Sequence, residues 1–389
     1  MRRFSSYLQT ALHLLNGYDG GLPFALYLKM FFSANRKYGG RDRKQIAALC
    51  YGYFRAGQAL KARSMEEQIL AGYFLVSNGQ TELLNALRQE WNAMVDKSIE
   101  SKLKVLGCST NAFQPFPFCE ELSEGIDAQA FSLAHLQQPD LFLRIRPGFI
   151  QKVKQKLTEA GIAMQEPFEH CIALPNETPI DRILQVNKEV VIQDFSSQRT
   201  AALIAPLLKA FPGKIKVWDC CAGSGGKSIM LYDLIPDMHL TVSDVRKTIL
   251  INLKTRFKEA GIQQYQSLVA DLAKEAPPLA EASFDLVVAD VPCSGSGTWG
   301  RTPENLKYFQ TDRLAYYRSL QQQIMRNVVP AIKRSGYLLY ITCSVFREEN
   351  ENNVNWLCAQ LGMEKVETQI IKGYTMKADT MFAALLKKI

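Results

Sequence analysis

Two short stretches put groups able to do chemistry at the ends of apolar runs. In "VVADVPCSGSG" (287–297) the apolar run leads into Asp290, and Cys293 follows in a train of small residues. In "YLLYITCSVF" (337–346) Cys343 stands at the tip of a second apolar run. A thiolate is a nucleophile that forms covalent intermediates, and a nearby acid can orient or protonate what it attacks. Two such thiols are one more than most nucleophilic mechanisms need. A reaction that must both make and undo a carbon–sulfur bond could use the pair. A thiolate that adds to C6 of a pyrimidine makes the ring an enamine, whose C5 can then attack an electrophilic methyl group. To finish, the C5 proton must leave and the thiol must be expelled. Asp290 stands where a carboxyl group could orient N3 and N4 of a cytosine.

A second constellation points to a nucleoside. "WDCCAGSGGKS" (218–228) follows an apolar run and opens a helix. Gly223, Gly225 and Gly226 allow a tight turn and close approach of a ligand to the backbone. The helix start offers free N–H groups to an anion. The stretch is not a phosphate-binding P-loop, because the glycine required at 221 is Cys221. Asp244 and Asp271 end the next two apolar runs, and an acid at the position of Asp244 suits ribose hydroxyls. A dinucleotide and S-adenosyl-L-methionine both satisfy this pattern.

The elements that would position these groups alternate. "KIKVWD", "HLTVSD", "QSLVAD", "FDLVVAD" and "GYLLYITCS" read as strands, with helical stretches such as "TILINLKTRFKEAG" between them. That pattern predicts an α/β fold with a parallel sheet covered on both faces. Ligands of such sheets sit beyond the carboxyl ends of the strands. Asp219, Asp244, Asp271, Asp290 and Cys343 are therefore expected at one edge. Before this domain (190–389), residues 1–110 show apolar residues at three- and four-residue intervals and read as helical. "AFQPFPFC" (112–119) reads as a linker, and residues 120–189 as a small α+β extension with "DLFLRIRP" as a strand.

Composition narrows the classes. The chain has 389 residues, 47% hydrophobic and 22% charged, which is ordinary for a globular protein. No apolar run reaches the roughly 20 residues a membrane helix needs, and the N-terminus reads as an amphipathic helix, not a signal peptide. A cytoplasmic location is expected, with no membrane partner. Nine cysteines, without Cys-x-x-Cys, and four histidines argue against zinc and against a disulfide framework. Residues 1–65 carry eleven Lys and Arg against two Asp, on an otherwise near-neutral chain. That excess suggests a polyanion partner.

With these residues in view, the last 200 residues resemble the Sun (Fmu) type of RNA cytosine-C5 methyltransferase, the RsmB-like branch of the nucleolar-protein/Sun family. The family pattern D-x-C-A-x-P-G-G-K-T is approached by Asp219 to Ser228, and D-A-P-C-S-G-x-G by Asp290 to Gly297. R-x-P-D/E is matched by Arg301 to Glu304, and T-C-S with E-N-E by Thr342 to Ser344 and Glu349 to Glu351. "VIQDFSSQ" (191–198) and "DTMFAALLKK" resemble further family segments, and residues 36–55 resemble its helical NusB-like domain.

The resemblance implies a Rossmann-like S-adenosyl-L-methionine-dependent methyltransferase with a helical RNA-binding domain. Cys343 would be the nucleophile and Cys293 would assist breakdown of the adduct. Asp290 would lie between cofactor and base. Asp244 and Asp271 would hold ribose and adenine, with Cys221, Ala222, Gly223, Gly225, Gly226 and Lys227 completing the pocket. The implied substrate is RNA, 16S ribosomal RNA first and transfer RNA second, with no metal and a monomeric chain. Departures are Gly223-Ser224 for Ala-Pro, Ile249 for an arginine, Gly300 for the first of two arginines, and Arg146 for an asparagine. Rival readings are an NAD-dependent reductase, which leaves the thiols without a task, and an idle RNA-binding assembly factor, which does not need Cys343. Trp299 could stack on an extruded base or pack in a loop. Arg41, Asp42 and Arg43 could touch RNA or brace a helix. Glu349 and Glu351 could be a solvated loop or structural near the site.

Overall fold

Leu286 and Val288 turn one way, Val287 and Ala289 the other, and all four are buried. A strand apolar on both faces belongs inside a sheet covered on each side by helices. The computed structural model, which describes residues 2–208, 213–235 and 237–389, places it there. In chain order the described strands are β1 (Leu141–Ile145), β2 (Gln165–Phe168), β3 (Cys171–Leu174), β4 (Val190–Ile192), β5 (Lys216–Asp219) and β6 (His239–Asp244). They continue with β7 (Gln266–Val269), β8 (Phe284–Asp290), β9 (Ile332–Thr342), β10 (Met363–Ile371) and β11 (Met381–Lys388).

Seven of them form one sheet in the order β10-β11-β9-β8-β5-β6-β7. β5 to β9 run parallel, and β10 and β11 close the edge antiparallel. The Rossmann-like α/β expectation holds, with one addition. β10 was not expected as a strand, because its "MEKVETQII" carries charges at exposed positions of an edge strand. The chain builds outward from β5 through β6 and β7, then returns to β8 on the other side of β5. That reversal opens a crevice at the carboxyl ends of β5 and β8, where ligands of such sheets bind. Residues of one parity pack against helices on one face, with Val217, Leu286 and Leu339 near Leu253 and Phe257. Residues of the other parity pack on the opposite face, with Trp218, Val287 and Leu338 near Met325 and Val328.

Two compact units are formed. One holds residues 1–120, 127–138 and 298–311, and the other 121–126, 139–297 and 312–389. This partition differs from the expected 1–110, 120–189 and 190–389. Of the 120–189 stretch, residues 121–126 and 139–189 lie in the same unit as the large sheet, and the rest in the helical unit. In the large-sheet unit β1 to β4 make an antiparallel sheet in the order β2-β3-β1-β4. Its β1 contributes Arg144 and Arg146, which both pair with Asp233 at the end of the helix Gly226–Leu234, at 2.6 and 2.8 Å.

The first unit is helical, with the helices Arg2–Gly17, Phe24–Ala34, Gly40–Arg55 and Met65–Val76 burying Leu14, Phe24, Leu49, Phe54 and Phe74. "AFQPFPFC" is no linker. Its prolines break regular structure, yet Phe113 and Phe116 are buried, because aromatic side chains this large belong in a core.

Candidate active site

The cofactor side begins at the turn after β5. Gly225 has φ 84°, and a Cβ there would stand 2.7 Å from the Phe257 ring, so this position requires glycine. The turn is held from the next strand. Asp244, at the end of β6, accepts from Gly223 N–H at 3.0 Å and from Arg246 N–H at 2.9 Å. Arg246 also pairs with Asp244 through its side chain at 3.1 Å. Asp271 lies two residues past β7 and pairs with Lys274 at 3.1 Å. A cleft of about 490 Å³ brings together Cys221, Asp244, Asp271 and Asp290, with Leu320 and Ile324 as apolar wall. Three acids at one mouth and an apolar wall suit a nucleoside, which needs acceptors for hydroxyls and a flat apolar slot for its base. Ala222 is buried in the core behind this turn, Gly226 begins the helix, and neither lines the cleft.

Across the crevice, Lys227 and Asp290 form an ion pair at 2.6 Å. The lysine side chain is 10% exposed and the carboxylate 33%, so the acid faces outward and the cation stands behind it. Burial pushes the Lys227 ammonium down, but attraction to Asp290, then to Asp219 and Cys343, outweighs it and holds the ammonium above its ordinary value. Below them Asp219 is fully buried. Its Oδ2 accepts from Ser228 Oγ at 2.5 Å, and its Oδ1 has no hydrogen-bond partner. Burial, offset in part by that bond, raises its carboxyl to about 7.

The two thiols meet. Asp290 pairs in register with Ile341, so the segments after β8 and β9 leave the sheet side by side. Cys293 Sγ lies 3.1 Å from Cys343 Sγ, and both cysteines are free thiols. The hydrogen bond to Cys343, then burial, then the charges of Cys343 and Glu349 push the Cys293 thiol well above its ordinary value. Gly297 allows the close approach of these segments. Its N–H donates to Cys343 O at 2.9 Å, and a Cβ there would meet Thr380 O at 1.9 Å. Three hydroxyls, of Ser294, Ser296 and Ser344, lie 3.1 to 3.2 Å from one another.

Glu349 is not a solvated loop residue. It is fully buried and accepts hydrogen bonds from Ser294 N–H, Gln321 Nε2 and Ser344 Oγ. Burial raises its carboxyl above the ordinary value, and those three bonds oppose the rise. Its role was only half legible in the E-N-E segment. Gln321, in the middle of the helix Arg313–Val328, carried no signal. Glu351 accepts from Ser123 Oγ at 2.9 Å.

Other candidates lie elsewhere. Trp299 belongs to the helical unit and is 1% exposed, packed at 4.9 Å from the Phe309 ring and 5.7 Å from Phe116. It is a core aromatic. Asp42 accepts from Gly39 N–H at 2.9 Å at the start of its helix and bonds the Tyr7 hydroxyl, while Arg43 donates to Tyr38 O. Arg41, Arg36, Lys37 and Lys44 are exposed.

Residues 205–385 match the family model described as 16S rRNA methyltransferase RsmB/F. A protein of Xylella fastidiosa (strain 9a5c) named Ribosomal RNA small subunit methyltransferase B is 28% identical over 276 residues, 69% of this chain and 64% of that one. The protein of the same name from Pasteurella multocida is 26% identical over 333 residues, 80% of this chain and 69% of that one. This chain thus spans less than two thirds of the Xylella relative. Among solved structures, PH0851 superposes with a TM-score of 0.68 at 20% identity over 94% of this chain and 95% of that one. NSun6 from Pyrococcus horikoshii with SFG gives 0.57 at 14% identity, over 70% and 96%.

Proposed function

Residues 205–385 make this chain a member of the 16S rRNA methyltransferase RsmB/F family, and from that premise we propose that it methylates C5 of cytosine in ribosomal RNA through a covalent thiol adduct. The observation that carries the reading is the pair of free thiols 3.1 Å apart, beside the Lys227–Asp290 ion pair at a sheet's carboxyl edge. The NAD-dependent reductase and the idle assembly factor leave that pair without a task.

S-adenosyl-L-methionine, when bound, supplies an electrophilic methyl group. Asp244 and Asp271 would hold it, with Cys221 and the apolar wall of the cleft. A cytosine must be extruded from any stack to reach the thiols. Asp290, steadied by Lys227, faces its N3 and N4 edge. Cys343 acts as thiolate and its sulfur adds to C6, so that C5 becomes nucleophilic and takes the methyl group, while the pair of the broken S–CH3 bond stays on the sulfur it leaves, now a neutral thioether. The C5 proton then leaves to water. The C5–H electron pair closes the C5–C6 double bond, and the C6–S pair returns to Cys343. Cys293, as a thiol, donates its S–H to the sulfur as charge returns to it.

The exposed Arg2, Arg3, Lys29, Arg36, Lys37, Arg41 and Lys44 of the helical unit support a phosphate-backbone partner. The test is transfer of labelled methyl from S-adenosyl-L-methionine to unmodified small-subunit ribosomal RNA and to transfer RNA, with bisulfite mapping of the product. Label at C5 of a cytosine in ribosomal RNA is the expected result. Label on another base, on transfer RNA alone, or none at all overturns it.

A further inference from the structure

No step above uses Glu349, yet burying a carboxylate is costly unless it is well hydrogen-bonded. Its two oxygens are divided between the two thiol segments. Oε2 accepts from Ser294 N–H at 2.9 Å, one residue past Cys293, and from Gln321 Nε2 at 3.0 Å. Oε1 accepts from Ser344 Oγ at 2.6 Å, one residue past Cys343. The same Gln321 amide donates to Pro292 O at 3.0 Å, one residue before Cys293. Cys293 is thus pinned on both sides, and on both sides the pin leads to Glu349 or its partner Gln321.

The two cysteines differ in what else holds them. Cys343 directly follows β9, which is paired with β8 and β11, and its carbonyl is bonded by Gly297 N–H. Cys293 lies in a segment outside the sheet. Loss of Glu349 would take away the acceptor of the Ser294 N–H and leave that segment its hydroxyl contacts to Ser296 and Ser344, while the strand would still hold Cys343.

We propose that Glu349 is the positioning residue that aims the Cys293 S–H at the Cys343 sulfur, so that it governs release of the methylated base and not attack on it. The proposal rests on the thiol roles of the preceding section. Attack makes no use of the Cys293 S–H. In release the C6–S pair must return to sulfur, and the Cys293 S–H stabilises that charge only from the right place.

The experiment uses the full chain, S-adenosyl-L-methionine and unmodified small-subunit ribosomal RNA. Glu349→Ala is expected to lower steady-state kcat about 100-fold, as misplacement of a reacting group by an ångström can. kcat/KM for RNA should stay within about twofold, because attack and methyl transfer precede the slowed step, so KM falls along with kcat. The first turnover still transfers methyl, and protein linked to RNA accumulates on a denaturing gel. Glu349→Gln keeps an acceptor for Ser294 N–H and offers a donor to Ser344 Oγ, so it restores turnover and clears the adduct. A first turnover as slow as the steady state, no accumulated adduct, or a Gln variant no better than Ala would each overturn the proposal. If Glu349→Ala loses its cooperative melt, Gln321→Met removes the Pro292 anchor and must give the same adduct, and its failure to do so also overturns the proposal. Wild-type protein without methyl transfer, or Cys293→Ala without adduct, overturns the parent reading together with this one. Adduct with Cys293→Ala but none with Glu349→Ala overturns this one alone.

Discussion

Lys227 donates to Asp290 at 2.6 Å, joining the helix after β5 to the end of β8 across the crevice where the sheet reverses its order. The pair puts a cation behind an acid that still reaches solvent. Lys227→Met leaves the acid without its partner and the site without its fixed cation. Methyl transfer is expected to fall roughly 100-fold or more, the scale for loss of one preorganised electrostatic group. Steady-state kinetics beside a thermal melt checks this. Unchanged kcat in a folded variant would remove Lys227 from the site.

The thiols should separate by phenotype. Cys343→Ala is expected to give neither methylated RNA nor RNA-linked protein. Cys293→Ala should transfer methyl once and remain bound to its RNA through a denaturing gel. The reverse pattern would exchange the two assignments.

Asp244 accepts from both Gly223 and Arg246, so it shapes the turn as well as offering oxygens to a ribose. Asp244→Ala is expected to weaken binding of S-adenosyl-L-methionine about 10- to 100-fold, the scale of hydrogen bonds to a charged group. Calorimetry without RNA reads it directly. Binding within experimental error of wild type would move the ribose elsewhere.

Buried Asp219 makes stability depend on pH. Its carboxyl lies at about 7 in the fold against an ordinary 3.8. Between those values the folded protein keeps a proton that the unfolded chain has released, so stability falls as pH rises through that window and levels off above it. Asp219→Asn cannot ionise and should flatten this part of the profile. Urea midpoints from pH 4 to 8 for both proteins test it, and parallel profiles would assign the dependence to other groups.

Trp299→Ala should behave as a core mutation, costing about 3–5 kcal/mol of stability. A loss of RNA affinity with an unchanged melt would instead restore the base-stacking role.

The sheet and the acids at its edge were legible because a parallel sheet writes itself as buried apolar runs ending in polar residues, as in "FDLVVAD". The meeting of Cys293 and Cys343 followed from neighbouring strands ending together. What pattern did not carry was who holds those thiols. Gln321 is one polar residue inside a helix, and its four-way role exists only once Pro292, Glu349, Tyr340 and Asn353 are brought around it. The aromatic run at 112–119 reads as a linker because proline marks a break in regular structure, while burial depends on side-chain size. Trp299 shows the same limit. An aromatic beside a motif reads as available until its neighbours are known.

The helical unit is made of three separate pieces of chain, and the last of them, 298–311, arrives late in the sequence. Within it Tyr308 donates to Tyr18 O at 2.8 Å, Glu304 accepts from Phe24 N–H at 3.0 Å, and Arg55 reaches Gly300 O at 2.9 Å. A chain begun at residue 121 would therefore not be a clean catalytic half. It would carry Trp299, Tyr308 and Phe309 stripped of the rings that cover them, a sticky apolar flap. A chain stopped at 120 would be missing part of its own core. In evolutionary terms the two bodies are stitched, not strung, so a swap of the basic helical body between relatives must move all three pieces at once.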